Sequence, residues 1–107
     1  MKINIMKESI PYITDVTVAG TTFQFEFTYN SYDKRVYVTL YDIEDNLIYP
    51  NEPILFGIPL WFNKLVDEKG NFNKKYPQKY IIPNTLDRKA VKIDYENIDK
   101  IELLVEE

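Results

Sequence analysis

Carboxylates and hydroxyls are the only side chains in this sequence from which acid–base or nucleophilic chemistry could be built. Its 107 residues contain no His and no Cys. Ser-His-Asp hydrolysis, thiol chemistry, disulfides and His or Cys zinc sites are therefore excluded by composition. The densest acidic group is Asp42, Glu44 and Asp45, in the stretch Asp-Ile-Glu-Asp-Asn. The EF-hand pattern, with acidic or amide residues at alternate positions and a following Gly, is not matched there. Asp and Asn side chains that hydrogen-bond their own backbone in a turn account for the cluster. A carboxylate pair for glycoside hydrolysis can be drawn in any acidic domain, and nothing in the sequence sets a separation between two of them. The Ser and Thr residues have no His base, and no motif supports Lys-assisted serine catalysis. The expectation is a protein with no catalytic residue, no metal and no cofactor, and hence not an enzyme.

The elements that would position any site are organised on residues 21–42. Phe23, Phe25, Phe27 and Tyr29 share one parity, with Thr22, Gln24, Glu26 and Thr28 on the other. Side chains alternate faces along a strand, so this is a half-buried strand with an aromatic inner face. Val36, Val38 and Leu40 continue the pattern beyond the turn formers Asn-Ser-Tyr-Asp-Lys. A loop over residues 31–34 places Tyr29 opposite Val36, Phe27 opposite Val38 and Phe25 opposite Leu40, a favourable set of cross-strand pairs. A two-residue loop keeps the parity but lacks the Gly or Asn that a primed turn needs. A charge at Phe25 or Phe27 should break the fold.

Shorter elements flank this hairpin. Strands are expected at residues 2–6 and 12–18, the second turning through Ala19-Gly20 into the hairpin. Residues 42–46 turn, and residues 47–49 begin a further strand before Pro50 and Pro53, which are expected to bracket a loop. Residues 67–71 turn again, and residues 72–78 are loop or irregular strand. A short strand at residues 80–82 ends at Pro83-Asn84, and residues 86–90 could hold one helical turn capped by Asn84 or Thr85. Residues 91–95 and 100–106 alternate as strands. These elements add up to an all-β fold, a small antiparallel sandwich or barrel of about seven short strands. At 107 residues the chain is expected to be one domain, with about two-thirds of its unfolded surface buried on folding.

Formal charge is −4 overall but unevenly distributed: −4 over residues 1–63, +5 over residues 64–92 and −5 over residues 93–107. The basic segment could lie beside an acidic one within the same subunit, or the unlike patches could meet head to tail in a homo-oligomer. A small barrel that binds single-stranded nucleic acid is the alternative function. It would use Tyr32, Tyr37 and Tyr41 as stacking platforms beside Lys64, Lys69, Lys74, Lys75, Lys79, Arg88, Lys89 and Lys92. The acidity of the whole chain and the ordinary packing role of strand tyrosines weigh against that reading.

The longest apolar run, residues 54–62, is far shorter than a membrane span and is interrupted by Pro59. No membrane partner is expected. Residues 1–10 lack the continuous apolar region of an export signal, so synthesis without an export signal is expected. The 54–62 run is either a strand buried on both faces or a partly exposed partner surface.

Several of these features occur together in one family. An aromatic strand ends in Tyr29-Asn30, and a hydrophobic strand from Val36 closes on Asp42. The acidic turn over residues 42–46 is then followed by the Gly-containing apolar segment Phe56-Gly57-Ile58-Pro59-Leu60. Over roughly residues 21–66 the chain resembles the cyanophage-type baseplate plug family, small β-rich proteins of contractile phage (or prophage) tails. The resemblance implies a structural role in a virion tail baseplate and partners among other baseplate or tail-hub proteins, with no catalytic residue. It favours the partner-surface reading of the apolar run. The expected contact residues are Phe56, Ile58, Leu60, Trp61 and Phe62, together with Lys74, Lys75 and Lys79 of the basic segment.

Overall fold

The computed structural model describes residues 1–106. Its strands are β1 (Lys2–Asn4), β2 (Tyr12–Val18), β3 (Thr21–Tyr29), β4 (Val36–Asp42), β5 (Leu47–Pro53), β6 (Ile81–Thr85) and β7 (Ile101–Val105). One helical turn, α1 (Phe62–Leu65), separates β5 from β6, and 3-10 turns lie at Lys7–Ser9 and Ile98–Lys100. The strands form two antiparallel sheets, ordered β2-β3-β4-β5 and β1-β7-β6. Phe25, Phe27, Val38 and Leu40 from the first sheet and Ile81, Ile101 and Leu103 from the second belong to one buried cluster. This is an all-β sandwich, and two separate sheets settle the choice between sandwich and barrel.

The central hairpin has the expected register: Phe25 pairs with Leu40, Phe27 with Val38 and Tyr29 with Val36. Asn30 shapes the loop, its side-chain oxygen accepting the Tyr32 N–H at 2.8 Å and its carbonyl the Lys34 N–H at 2.8 Å. Ala19 and Gly20, with φ of 51° and 82°, make the β2–β3 turn. Positive φ at both central residues matches the twist of the flanking strands. Chain ends 2–4 and 101–105 pair with each other: β1 lies on β7 with Ile3 opposite Leu103, and Lys2 Nζ sits 3.3 Å from Glu102 Oε2.

Four local expectations are corrected. Pro50 and Pro53 do not bracket a loop but lie within β5, an edge strand where a missing N–H is tolerated. The ladder is bulged there: Asn51 takes φ 50° and donates its N–H to the buried Thr39 hydroxyl at 3.0 Å. Pro83 likewise lies inside β6, with its carbonyl turned away from β7 to accept the Gly57 N–H at 2.9 Å. Residues 86–90 form no helix, because Arg88 takes φ 63° and the Thr85 hydroxyl donates to the Lys89 carbonyl at 2.9 Å. Residues 91–95 form no strand, since both sides of β7 are already taken by β1 and β6.

Candidate functional site

After β5 the chain crosses to the other sheet, and this crossing builds the surface of interest. Ile54 donates its N–H to the Val36 carbonyl at 3.1 Å, and Gly57 and Leu60 then donate to Pro83 and Ile81 at 2.9 Å each. The segment therefore covers the outer edge of β6. A positive φ of 71° at Gly57, with the Ile58 N–H on the Leu55 carbonyl at 3.3 Å, turns the backbone midway. These bonds dictate which side chains can point inward.

Trp61 is the anchor. Its backbone is left-handed (φ 56°, ψ 29°), a conformation that costs a non-Gly residue about 1 kcal/mol or more. The Glu52 carboxylate accepts its N–H at 2.6 Å, and its carbonyl accepts the Lys64 and Leu65 N–H groups at 2.8 and 3.0 Å to start α1. The indole meets Phe25 edge-on, with ring centroids 5.3 Å apart and planes at 82°. The indole N–H is buried without a partner among the described residues. Burial pushes the Glu52 carboxyl above its ordinary range, and the Trp61 N–H partly offsets that.

The apolar run is neither a central strand nor uniformly exposed. Leu60 and Trp61, at 1% and 2% exposure, are core residues, whereas Ile58 and Phe62 are 50% and 55% exposed. Phe56 is half-buried against the core. Ile58 and Phe62 border a cleft of about 290 Å³ with Tyr49, Glu52, Leu55 and Lys64. Lys74 and Lys75 lie elsewhere, in a cleft of about 660 Å³ with Asp42, Asn46, Tyr76 and the exposed Ile43 and Leu47. Lys79 is half-buried and lines neither cleft. The expected contact residues thus divide into two exposed groups (Ile58 with Phe62, and Lys74 with Lys75), a buried pair (Leu60 and Trp61) and the half-buried Phe56 and Lys79.

Sequence reasoning passed over Glu52, Ile43 and Leu47. Glu52 stands between two prolines in what reads as a loop, and no residue pattern marks a carboxylate that will cap a distant amide. Ile43 and Leu47 flank a turn whose polar residues dominate the local signal. The Asp42–Asn46 turn itself is as expected: Asp42 Oδ1 accepts the Glu44 and Asn46 N–H groups at 2.9 Å each. Those bonds, led by Asn46, hold the Asp42 carboxyl below the usual range.

No group of three or more His, Cys, Asp or Glu able to hold a metal ion occurs among the described residues. No described helix is long and apolar enough to cross a membrane. Nothing supports the nucleic-acid alternative. The basic residues do not line one groove: Lys74 and Lys75 border a cleft that none of Lys64, Lys69, Lys79, Arg88, Lys89 and Lys92 lines. Two of the outward tyrosines are committed to carboxylates, Tyr37 to Asp33 and Tyr41 to Glu26, which would repel a phosphate backbone. Tyr32 alone stands clear, at 97% exposure.

Comparison with known proteins adds a family. No curated protein and no solved structure matches the chain. The family model described as cyanophage baseplate Pam3 plug gp18 matches residues 1–105, extending well beyond the 21–66 stretch whose motifs carry the resemblance. With a match over the whole sandwich, this chain belongs to the cyanophage baseplate plug family and is a structural component of a contractile phage or phage-like tail baseplate.

Proposed function

We propose that the chain works by occupancy, as a rigid non-catalytic body that fills a position in the baseplate and is held there by other baseplate or tail-hub proteins. The observation that carries this reading is the division of the crossing segment. Leu60 and Trp61 lock it into the core, and that lock presents Ile58 and Phe62 to the outside at a fixed place. Exposed apolar side chains on a rigid scaffold, with a polar rim of Glu52 and Lys64, are the ordinary make-up of an assembly contact. The Lys74–Lys75 cleft, with Ile43 and Leu47 at its border, is the second proposed contact and suits an acidic partner segment.

Quantitative mass spectrometry of purified tail particles tests the placement: the chain should appear at a fixed ratio to tube and sheath subunits. Ile58→Ser with Phe62→Ser should leave thermal stability within about 0.5 kcal/mol while lowering incorporation into particles at least tenfold. Incorporation of that double variant at the wild-type ratio would move the contact elsewhere. Absence of the wild-type chain from intact particles would remove the occupancy reading altogether.

A further inference from the structure

A sheet edge presents a row of unpaired N–H and C=O groups, and soluble proteins guard such edges with prolines, bulges, lysines, short strands or covering segments. The sandwich has four edges. β5 carries Pro50, Pro53 and a bulged ladder. The outer edge of β6 is covered by Gly57 and Leu60 and interrupted by Pro83. β1 is three residues long and carries Lys2. β2 has none of these devices, its one guard being the charge of Asp15 midway along the strand. It runs seven residues in unbroken register with β3, without proline or lysine.

The ladder shows which of its groups are free. Val18 and Thr21 close a two-residue turn, so residues 18, 16, 14 and 12 exchange hydrogen bonds with β3. The N–H and C=O groups of Ile13, Asp15 and Thr17 point the other way, and no backbone bond from them to another segment occurs among the described residues. A groove of about 330 Å³ between β1 and β2 runs beside them, bordered by Ile3, Met6 and Thr14. Ile13 is 55% exposed at the same edge.

We infer that β2 is an acceptor edge, which takes an extended strand of a different protein into the four-stranded sheet. Main-chain bonds would supply the affinity and the facing side chains the choice of partner. Asp15 argues against a second copy. A two-fold pairing centred on the strand sets Asp15 against Asp15, and like charges directly opposite one another are destabilising. Asp15 has no ion partner among the described residues. The strand that fits therefore carries Lys or Arg at the facing position. This inference goes beyond the occupancy reading and does not depend on which assembly the chain serves.

The test uses the full-length 15N-labelled protein and, as the probe, a short acetylated and amidated peptide alternating Val and Thr about a central Lys. The amides of Ile13, Asp15 and Thr17 should shift and gain exchange protection on titration. A central Glu in the peptide should weaken binding about threefold to fivefold. Thr17→Pro removes an outward N–H and leaves the backbone bonds to β3 in place, losing only the 2.8 Å hydroxyl contact with Thr22, and should lose binding while still unfolding cooperatively. Should that variant not fold, Asp15→Lys takes its place and should reverse the preference, binding the Glu peptide better. No response at the three amides, or an equal response in Thr17→Pro, overturns the inference. Protection that grows with protein concentration and no peptide assigns the edge to a second copy and overturns it too. None of these outcomes bears on whether the chain is found in tail particles.

Discussion

In the four-stranded sheet each strand pairs with its neighbour in sequence, across connections at residues 19–20, 30–35 and 43–46. In the three-stranded sheet the central strand is the last in the chain: β7 reaches β6 only after residues 86–100 and meets β1 from the opposite terminus. Closing a short connection leaves a local record, a turn signal between two alternating runs. Joining distant segments leaves none, because neither segment holds information about the other's register. The difference also bears on folding order. Loop-closure entropy falls on non-local pairings before their contacts form, so the first sheet is expected to form before β1 and β7 dock.

Breaking the local sheet should have the largest effect. Phe25 is fully buried and touches both Phe27 and Trp61, so Phe25→Asp places an unpaired charge where the sheets meet. No folded protein should be recovered, as circular dichroism and size-exclusion chromatography would show. A cooperative unfolding transition in that variant would mean that the hairpin is not the organising element.

Trp61→Ala strikes the link between the regions. It removes the indole from Phe25 and leaves a cavity, and large-to-small changes of this kind cost about 3–5 kcal/mol. Denaturant unfolding should show that loss in the midpoint. By contrast Phe62→Ala, one residue on and 55% exposed, should stay within about 0.5 kcal/mol of wild type. Equal effects from the two would contradict the division of the crossing segment into core and surface.

Residues 91–95 show why the second half reads poorly from sequence. Their alternation is only partly realised: Ile93 is 2% exposed and the Tyr95 ring lies 4.5 Å from that of Tyr29, with the Tyr95 N–H donating to the Lys34 carbonyl at 2.8 Å, but Val91 is exposed. Alternation records which side chains are buried, not which backbone groups are paired, and here the two part company. The same holds at the site. The apolar run 54–62 announces burial or contact but not their order, since Leu60 and Ile58 differ only in how hydrogen bonds to β6 orient the chain. The hairpin register could be read because burial and pairing coincide there; Glu52 could not, because its partner Trp61 is fixed by the crossing alone.

Titration sharpens the same contrast. Turn carboxylates Asp33, Asp42 and Asp87 are held below the usual range, by the Tyr37 hydroxyl, by Asn46 and by the Lys89 N–H respectively as the leading causes. A depressed folded-state value means stability that is present above the unfolded value and lost as pH falls through the folded one. Melting temperature should therefore decline below about pH 4, and Asp42→Asn should flatten part of the decline. Glu52 has the opposite sign, its carboxyl being raised by burial. Its ionised form costs stability at neutral pH, and that cost is relieved as pH falls through its folded value toward the ordinary Glu range. Glu52→Gln, which keeps an acceptor for the Trp61 N–H, should melt slightly higher than wild type at pH 7 and lose that advantage in acid. A constant difference across pH would show that folding does not perturb the Glu52 carboxyl, and that burial at the crossing does not raise it.

A last, small effect compares two turns of one design. Asp42 and Asp67 each accept the N–H groups two and four residues on, at 2.9 to 3.0 Å. In each turn the residue before the final Asn has positive φ: Asp45 at 67° and Gly70 at 82°. Glycine reaches that region without the Cβ clash that Asp45 bears, while losing more unfolded-state freedom on folding. The clash outweighs the entropy at such sites, so Asp45→Gly should stabilise by about 0.5–1 kcal/mol and Gly70→Asp should destabilise by a similar amount. Nothing lies within 4 Å of where a Gly70 Cβ would stand, so the second change reports backbone strain alone. If both substitutions shift the melting temperature in the same direction, side-chain contacts rather than the shared backbone geometry govern these turns.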